Sequence, residues 1–374
     1  MDASPTLHPP GSVPLWQRWR VSLREGQSVA LATVVEQRGS SPRPVGSTLL
    51  IGRGLPLQGS VSAGCLEADG VRLGEEVLAE GRPQEQHYGP VEGNDPLAIG
   101  LSCGGSLHLA IDPWSPADLE LLAPWFAAME RQERTLLATR LDGPGKGVRT
   151  PQGHWCSPEA DACAAVLERC WGRSGPGSSG LPWPGRAWIE QEPEGARFLL
   201  REHLPPPPLW IFGADDTAAA LAALAQVLGY RSTVVDARPA FARPERCPAA
   251  EAMHCRWPHQ WFAEQTVAND TAICVLQHDP KFEIPLLALA LRSPACYVGA
   301  MGSRGTQRRR LELLRQQGLS EGELARLRAP IGLDLGGRTP AELALAILAE
   351  VAMLRGGGQG GSLSAGAGPI HPRP

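Results

Sequence analysis

Cys65 and Cys103 each sit in a run of small residues, where a core cysteine would have bulky apolar neighbours. The runs are Gly59-Ser60-Val61-Ser62-Ala63-Gly64-Cys65-Leu66-Glu67 and Gly100-Leu101-Ser102-Cys103-Gly104-Gly105. A thiol in such a place can act as a nucleophile or a soft ligand, because small neighbours leave room for a ligand to approach the backbone. Residues 57–62 read as a short strand. Residues 66–79 carry apolar side chains at helical spacing (Leu66, Val71, Leu73, Val77, Leu78), which puts Cys65 at a strand-to-helix turn. Free backbone N–H groups and the positive end of a helix dipole favour a thiolate there. The alternative is that both cysteines are small hydrophobes packed inside tight turns.

A second set of candidate residues follows residue 205. The apolar run 209–212 reads as a buried strand, residues 217–228 as an Ala/Leu-rich helix, and residues 231–235 as a second strand ending in Asp236. Strand, glycine, helix, strand, acid is the layout of a dinucleotide-binding unit, with Asp236 lying 23 residues after Gly213. The glycine pattern is broken. Gly213-Ala214-Asp215-Asp216-Thr217 puts two carboxylates where a pyrophosphate would lie, which disfavours an ordinary NAD site and leaves Asp216 as a helix N-cap. Gln277-His278-Asp279 follows a strand at the sheet edge where such folds bind ligands. Gly299-Ala300-Met301-Gly302-Ser303-Arg304 also joins a strand to a helix, so its amides and Arg304 form the better anion cradle.

The elements that must hold these residues divide at Pro205 to Pro208, four consecutive prolines that favour an extended connector. Before it, residues 28–37, 47–51, 57–62, 106–111 and 135–140 read as strands, residues 116–132 as a helix, and 186–190 with 196–202 as a hairpin-like pair. The expectation is a mixed α+β domain over residues 15–204, with a Gly/Ser/Pro-rich flexible insertion near 172–185. After it, strands at 271–276 and 295–298 alternate with helices at 284–291, 307–317 and 340–354. That alternation predicts a doubly wound parallel sheet over residues 205–355. Residues 356–374, rich in Gly, Ser and Pro, read as a disordered tail.

Composition narrows the functional classes. A net charge of -4 argues against a general nucleic-acid or membrane-surface binder, and the basic run 304–310 reads as a solvated helix face. Nine cysteines without regular pairing make a disulfide framework unexpected, and Cys156, Cys163 and Cys170 read as an inert stripe on one helix over 157–171. No stretch reaches the length of a membrane span, and residues 1–14 lack a secretory pattern, so a cytoplasmic protein is expected. HExxH and Walker A sequences are absent.

The Gly39-Ser40-Ser41-Pro42-Arg43-Pro44-Val45-Gly46 turn and the two cysteine runs together resemble the N-terminal domain of the xanthine dehydrogenase accessory family, XdhC/CoxI. Leu209 to Ala214, Val234 to Pro239, Tyr297 to Arg304 and Pro330 to Gly336 resemble that family's Rossmann-like C-terminal domain, in the same order. The resemblance implies a chaperone and not a turnover enzyme. Such a protein binds the molybdenum cofactor (molybdopterin) transiently, protects it while a cysteine desulfurase supplies its sulfido ligand, and passes it to an apo molybdenum hydroxylase of the xanthine dehydrogenase type. It also admits a homodimer.

Carried over residue by residue, the resemblance implies cofactor contacts at Arg43, Gly59, Ser60, Gly64, Cys65, Glu67, Cys103, Gly104 and Gly105. In the second half it implies Gly213, Asp236, His278, Gly302, Ser303 and Arg304. Two motifs depart from the family pattern. Its G-A-G-H-V loop appears as Gly213-Ala214-Asp215-Asp216-Thr217, and its T-H-D-H-K as Gln277-His278-Asp279-Pro280-Lys281. The rival readings are an NAD(P)-dependent oxidoreductase using Asp236 on the ribose, and a scaffold whose Rossmann half serves only oligomerisation.

Overall fold

The computed structural model describes residues 14–39, 43–89, 101, 105–158, 161–172 and 185–365. These form two compact units that divide between Pro205 and Pro206. In the first, helix α1 (Leu15–Arg24) precedes a five-stranded antiparallel sheet built from β1 (Val29–Arg38), β2 (Thr48–Ile51), β3 (Gln58–Gly59), β4 (Gln84–Tyr88) and β5 (Ser106–Trp114), in the order β3-β2-β1-β5-β4. Helix α2 (Glu67–Glu80) runs between β3 and β4, and α3 (Leu119–Glu130) follows β5. Strand β1 is apolar almost throughout because both its faces are covered. Ala30, Ala32 and Val34 pack with Leu66, Leu73 and Val77 of the α2 segment, while Val29 and Leu31 pack with Trp19 of α1 and with Leu122 and Trp125 of α3.

A second five-stranded antiparallel sheet completes this unit: β6 (Thr135–Arg140), β7 (Lys146–Thr150), β8 (Gly153–Cys156), β9 (Arg186–Gln191) and β10 (Arg197–His203), ordered β8-β7-β6-β10-β9. Helix α4 (Asp161–Trp171) covers it, burying Cys163, Val166, Leu167 and Cys170 against Leu136, Ala138, Phe198 and Leu200. The two sheets are tied by a buried ion pair. Arg201 of β10 donates to both oxygens of the fully buried Asp112 on β5, while its Nε reaches Thr33 Oγ1 at 2.9 Å. Asp112 also accepts from Thr139 Oγ1 at 2.8 Å and Trp114 Nε1 at 2.9 Å, so the buried charge is fully hydrogen-bonded.

The second unit is the expected doubly wound fold. Strands β11 (Pro208–Phe212), β12 (Arg231–Asp236), β13 (Ala252–Cys255), β14 (Ala272–Val275), β15 (Tyr297–Ala300) and β16 (Leu327–Arg328) form one parallel sheet in the order β13-β12-β11-β14-β15-β16. Leu209 and Ile211 face α5 (Asp216–Val227) and α10 (Pro340–Gly356). Trp210 and Phe212 face α6 (Pro258–Ala263) and α7 (Pro280–Ala290), with α8 (Arg304–Gln316) and α9 (Glu321–Leu324) contributing Leu314 and Leu324 to that layer. The α/β class read from the sequence is the fold observed, and a chain order that winds out from β11 in both directions puts the ligand edge between β11 and β14.

Several local expectations differ from the structure. The strand expected over 57–62 is only Gln58–Gly59, because from Ser60 onward the chain turns back around the Glu67 side chain. The three-cysteine stripe is not one helix: Cys156 ends β8, and α4 starts at Asp161. The cap of α5 is Asp215, whose carboxylate accepts the Ala218 N–H at 2.9 Å, while Asp216 is exposed and pairs with Arg246. Of the expected tail, residues 356–365 are described. Gly357 is left-handed, and Gly358 N–H bonds the Met353 carbonyl at 2.9 Å, which turns the chain off the end of α10. Residues 173–184 of the expected insertion and 366–374 of the tail lie outside the described residues.

Candidate functional site

Cys65 is exposed, two residues before the first turn of α2. Its neighbours explain why. Leu66, fully buried against the sheet, anchors the end of the loop, while Ala63 (φ 60°) and Gly64 (φ 124°) turn the backbone through the left-handed region just before the cysteine. An alanine there is strained, so the loop needs a clamp.

The clamp is Glu67. Its Oε1 accepts the Ser60 hydroxyl at 2.6 Å and the amides of Val61 (3.2 Å) and Ser62 (3.0 Å). Its Oε2 accepts the Gly64 amide at 2.7 Å and the Ser62 hydroxyl. Ser60 Oγ in turn accepts from Ala63 N–H at 2.9 Å, and Ser62 Oγ from Leu66 N–H at 2.7 Å. Partial burial alone would raise the Glu67 pKa, but the two hydroxyls and the amides of Ser62 and Gly64 outweigh it and hold the carboxyl at about 2. These donors form an anion nest filled by the chain's own carboxylate. Arg43, exposed, donates from Nε to Ser60 Oγ at 3.3 Å, which puts its guanidinium on the Ser60 side of the same loop.

Gly59 has a packing reason for being glycine. Its φ is 86°, and a Cβ there would lie 2.0 Å from the Thr48 carbonyl oxygen across the β2–β3 pair. Gly105 is buried just before β5, whereas Cys103 and Gly104 lie outside the described residues. Ser60, Gly64, Cys65 and Glu67 therefore lie together on one loop, and Arg43 bonds it at Ser60. Ser62, not singled out from the sequence, belongs with them because its hydroxyl both donates to Glu67 and accepts from Leu66.

In the C-terminal unit, Gly213, His278, Gly302, Ser303 and Arg304 all follow strands of the parallel sheet and so share its C-terminal edge. Asp236 does not face that edge as a free acceptor. It is buried, and its carboxylate accepts the amide of Ala214 at 2.9 Å, the amide of Arg238 at 2.9 Å and the Arg238 guanidinium at 2.8 and 3.0 Å. Burial would raise its pKa, and Arg238 and the two amides hold it below the usual carboxylate value. Ser303 caps α8 by accepting the Thr306 amide at 3.1 Å, and Arg304 is exposed in the first turn. His278 is exposed beside the buried Gln277, whose side chain crosses Gly213 so closely that a Cβ there would meet Gln277 Cγ at 2.9 Å. Asp279 caps α7 through the Lys281 amide at 3.1 Å.

The residues at the Cys65 loop fit a soft, anionic ligand in part. The exposed thiol supplies a soft donor and Arg43 a cation suited to phosphate, while the loop amides of Val61, Ser62 and Gly64 are already occupied by Glu67. Among the described residues, no cluster of three or more His, Cys, Asp or Glu side chains is arranged to hold a metal ion, and no helix is long and apolar enough to cross a membrane.

Comparison with known proteins agrees with this layout. Residues 22–89 match the sequence profile of the XdhC and CoxI family, and residues 209–351 match that of the XdhC Rossmann domain. The chain is 30% identical over 334 residues to the molybdenum cofactor insertion chaperone PaoD of Escherichia coli (strain K12), covering 89% of this chain and 86% of that protein. It is 22% identical over 338 residues to a protein of Bacillus subtilis (strain 168) named as a probable xanthine dehydrogenase subunit, covering 89% and 95%. Its fold is similar to the crystal structure of a protein from Bacillus halodurans described as a xanthine dehydrogenase, with a TM-score of 0.67 at 21% identity over 90% of this chain and 94% of that one.

Proposed function

The chain belongs to the XdhC and CoxI family, and from that premise we propose that it is a molybdenum-cofactor chaperone serving a molybdenum hydroxylase of the xanthine dehydrogenase type. The relative named an insertion chaperone, aligned over most of both chains, supports that role. The observation that carries it here is the exposed Cys65 on a clamped loop before α2, a loop that Arg43 also bonds, at Ser60.

In this reading the cofactor supplies the molybdenum centre, and the protein supplies binding and shelter. Cys65 offers the soft contact, and Arg43, held near Ser60, a charge-assisted contact to the pterin's phosphate. Glu67 does not reach the ligand, since both its oxygens are engaged by the loop. The C-terminal unit, with Asp236 and Asp215 turned onto its own backbone, offers a surface to the partner enzyme and not a dinucleotide site. A cysteine desulfurase as sulfur donor, transient binding and self-association belong to the same proposal.

The test is transfer. The purified chain is mixed with molybdenum cofactor, gel-filtered, and added to an apo molybdenum hydroxylase. Recovery of hydroxylase activity faster than with free cofactor is expected, together with slower oxidative loss of the cofactor. A chain that neither protects the cofactor nor speeds recovery would remove the chaperone role.

A further inference from the structure

The loop that presents Cys65 contains an arrangement that cofactor binding alone does not require. Five donors from residues 60–64, the hydroxyls of Ser60 and Ser62 and the amides of Val61, Ser62 and Gly64, converge on one carboxylate. That carboxylate comes from the first residue of α2, where the helix dipole also favours an anion. The backbone it holds includes Ala63 in the left-handed region, a conformation that persists in a non-glycine residue only where its surroundings impose it.

We propose that Glu67 is the positioning residue of the Cys65 loop: its carboxylate is the loop's resident anion, which holds residues 60–64 in shape and closes that loop's own donors to a ligand's phosphate. This rests on the reading of Cys65 as the ligand-binding thiol. It changes which groups do what. A phosphate cannot use the nest while Glu67 fills it, so the anion contact passes to Arg43 on the Ser60 side. The negative charge two residues from Cys65 offsets the positive end of α2, so the free protein holds its exposed thiol less reactive than the helix terminus alone would make it. Glu76 and Asp69 of α2 are engaged elsewhere, by Arg72 in both cases and by Tyr88 for Asp69.

The experiment measures the iodoacetamide alkylation rate of Cys65 at pH 7, resolved by peptide mass spectrometry, in wild type, Glu67→Gln, Glu67→Ala and Glu67→Asp. Removing the charge in Glu67→Gln and Glu67→Ala is expected to raise the Cys65 rate at least about threefold. Glu67→Asp, which keeps the charge, should stay within about twofold of wild type. Cys255 and Cys296, exposed in the C-terminal unit, are the internal reference and should not change. A rise in Glu67→Gln of less than about threefold over wild type, or an equal rise in Glu67→Asp, would overturn the proposal.

Hydrogen exchange on the wild-type chain keeps the test valid if a variant misfolds. The amides of Val61, Ser62 and Gly64 should exchange at least about tenfold more slowly than an unstructured reference, and exchange at the reference rate would also overturn it. The outcome is separable from the chaperone reading: if Cys65 proves unnecessary for cofactor retention, these rates and protections are unaffected.

Discussion

Asp236 accepts the backbone N–H of Ala214 at 2.9 Å, so the acid that a Rossmann layout offers to a ribose is spent closing the loop after β11. Asp215 is likewise turned onto the Ala218 amide, and the exposed Asp216 adds negative charge at the helix start. NAD(H) and NADP(H) are therefore expected to show no binding in calorimetric titration at about micromolar cofactor. A clear micromolar affinity would restore the oxidoreductase reading.

The ion pair between Arg201 and the fully buried Asp112 should dominate the stability of the N-terminal unit. Asp112→Ala leaves a largely enclosed guanidinium without its partner, together with Thr139 and Trp114 donors that lose their acceptor. The expected loss is about 3–5 kcal/mol, read from the denaturant transition assigned to that unit by its tryptophans. Replacing both charges, Asp112→Leu with Arg201→Met, should cost less than the single change. A single-variant loss below about 1 kcal/mol would contradict the role given to the pair.

Glu67 sets a pH dependence whose sign is fixed by its environment. Its folded pKa of about 2 lies below the ordinary 4.5, so the stabilisation is fully present above pH 4.5, declines as pH falls below that, and is gone once pH has passed through about 2. Carboxyl NMR of the labelled residue should show a midpoint near 2 in the folded chain. A midpoint at the ordinary carboxyl value would mean that the donors do not hold the carboxylate.

Much of the fold was legible because its strands carry their burial in sequence. Strand β1 reads as nearly continuous apolar residues since α2 covers one face and α1 with α3 the other, and β11 does the same between its two helical layers. The hairpin of β7 and β8 was not legible. Lys146, Arg149, Gly153 and His154 give it little apolar alternation, and its register comes from pairing with β6. The helix cap moved by one residue, to Asp215, because Gly213 and Ala214 are needed to leave β11 and reach Asp236.

At the candidate site, the exposure of Cys65 follows from its small neighbours and was readable. The inward turn of Glu67 was not, since three of its five donors are backbone amides of a loop turned by the positive φ of Ala63 and Gly64, which no periodicity records. A serine pair at 60 and 62 followed by an acid in the first helical turn is the one signal that would have pointed to it.

If Cys65 holds the molybdenum cofactor, retention of the cofactor depends on its thiol. Wild type, Cys65→Ala, Arg43→Ala and Cys103→Ala are each mixed with cofactor and gel-filtered, and molybdenum and pterin are counted per protein, with circular dichroism to confirm folding. Cys65→Ala and Arg43→Ala are expected to lose most of the retained cofactor, while Cys103→Ala keeps most of it. Equal retention by wild type and a folded Cys65→Ala would contradict that role and leave Cys65 as an exposed turn residue.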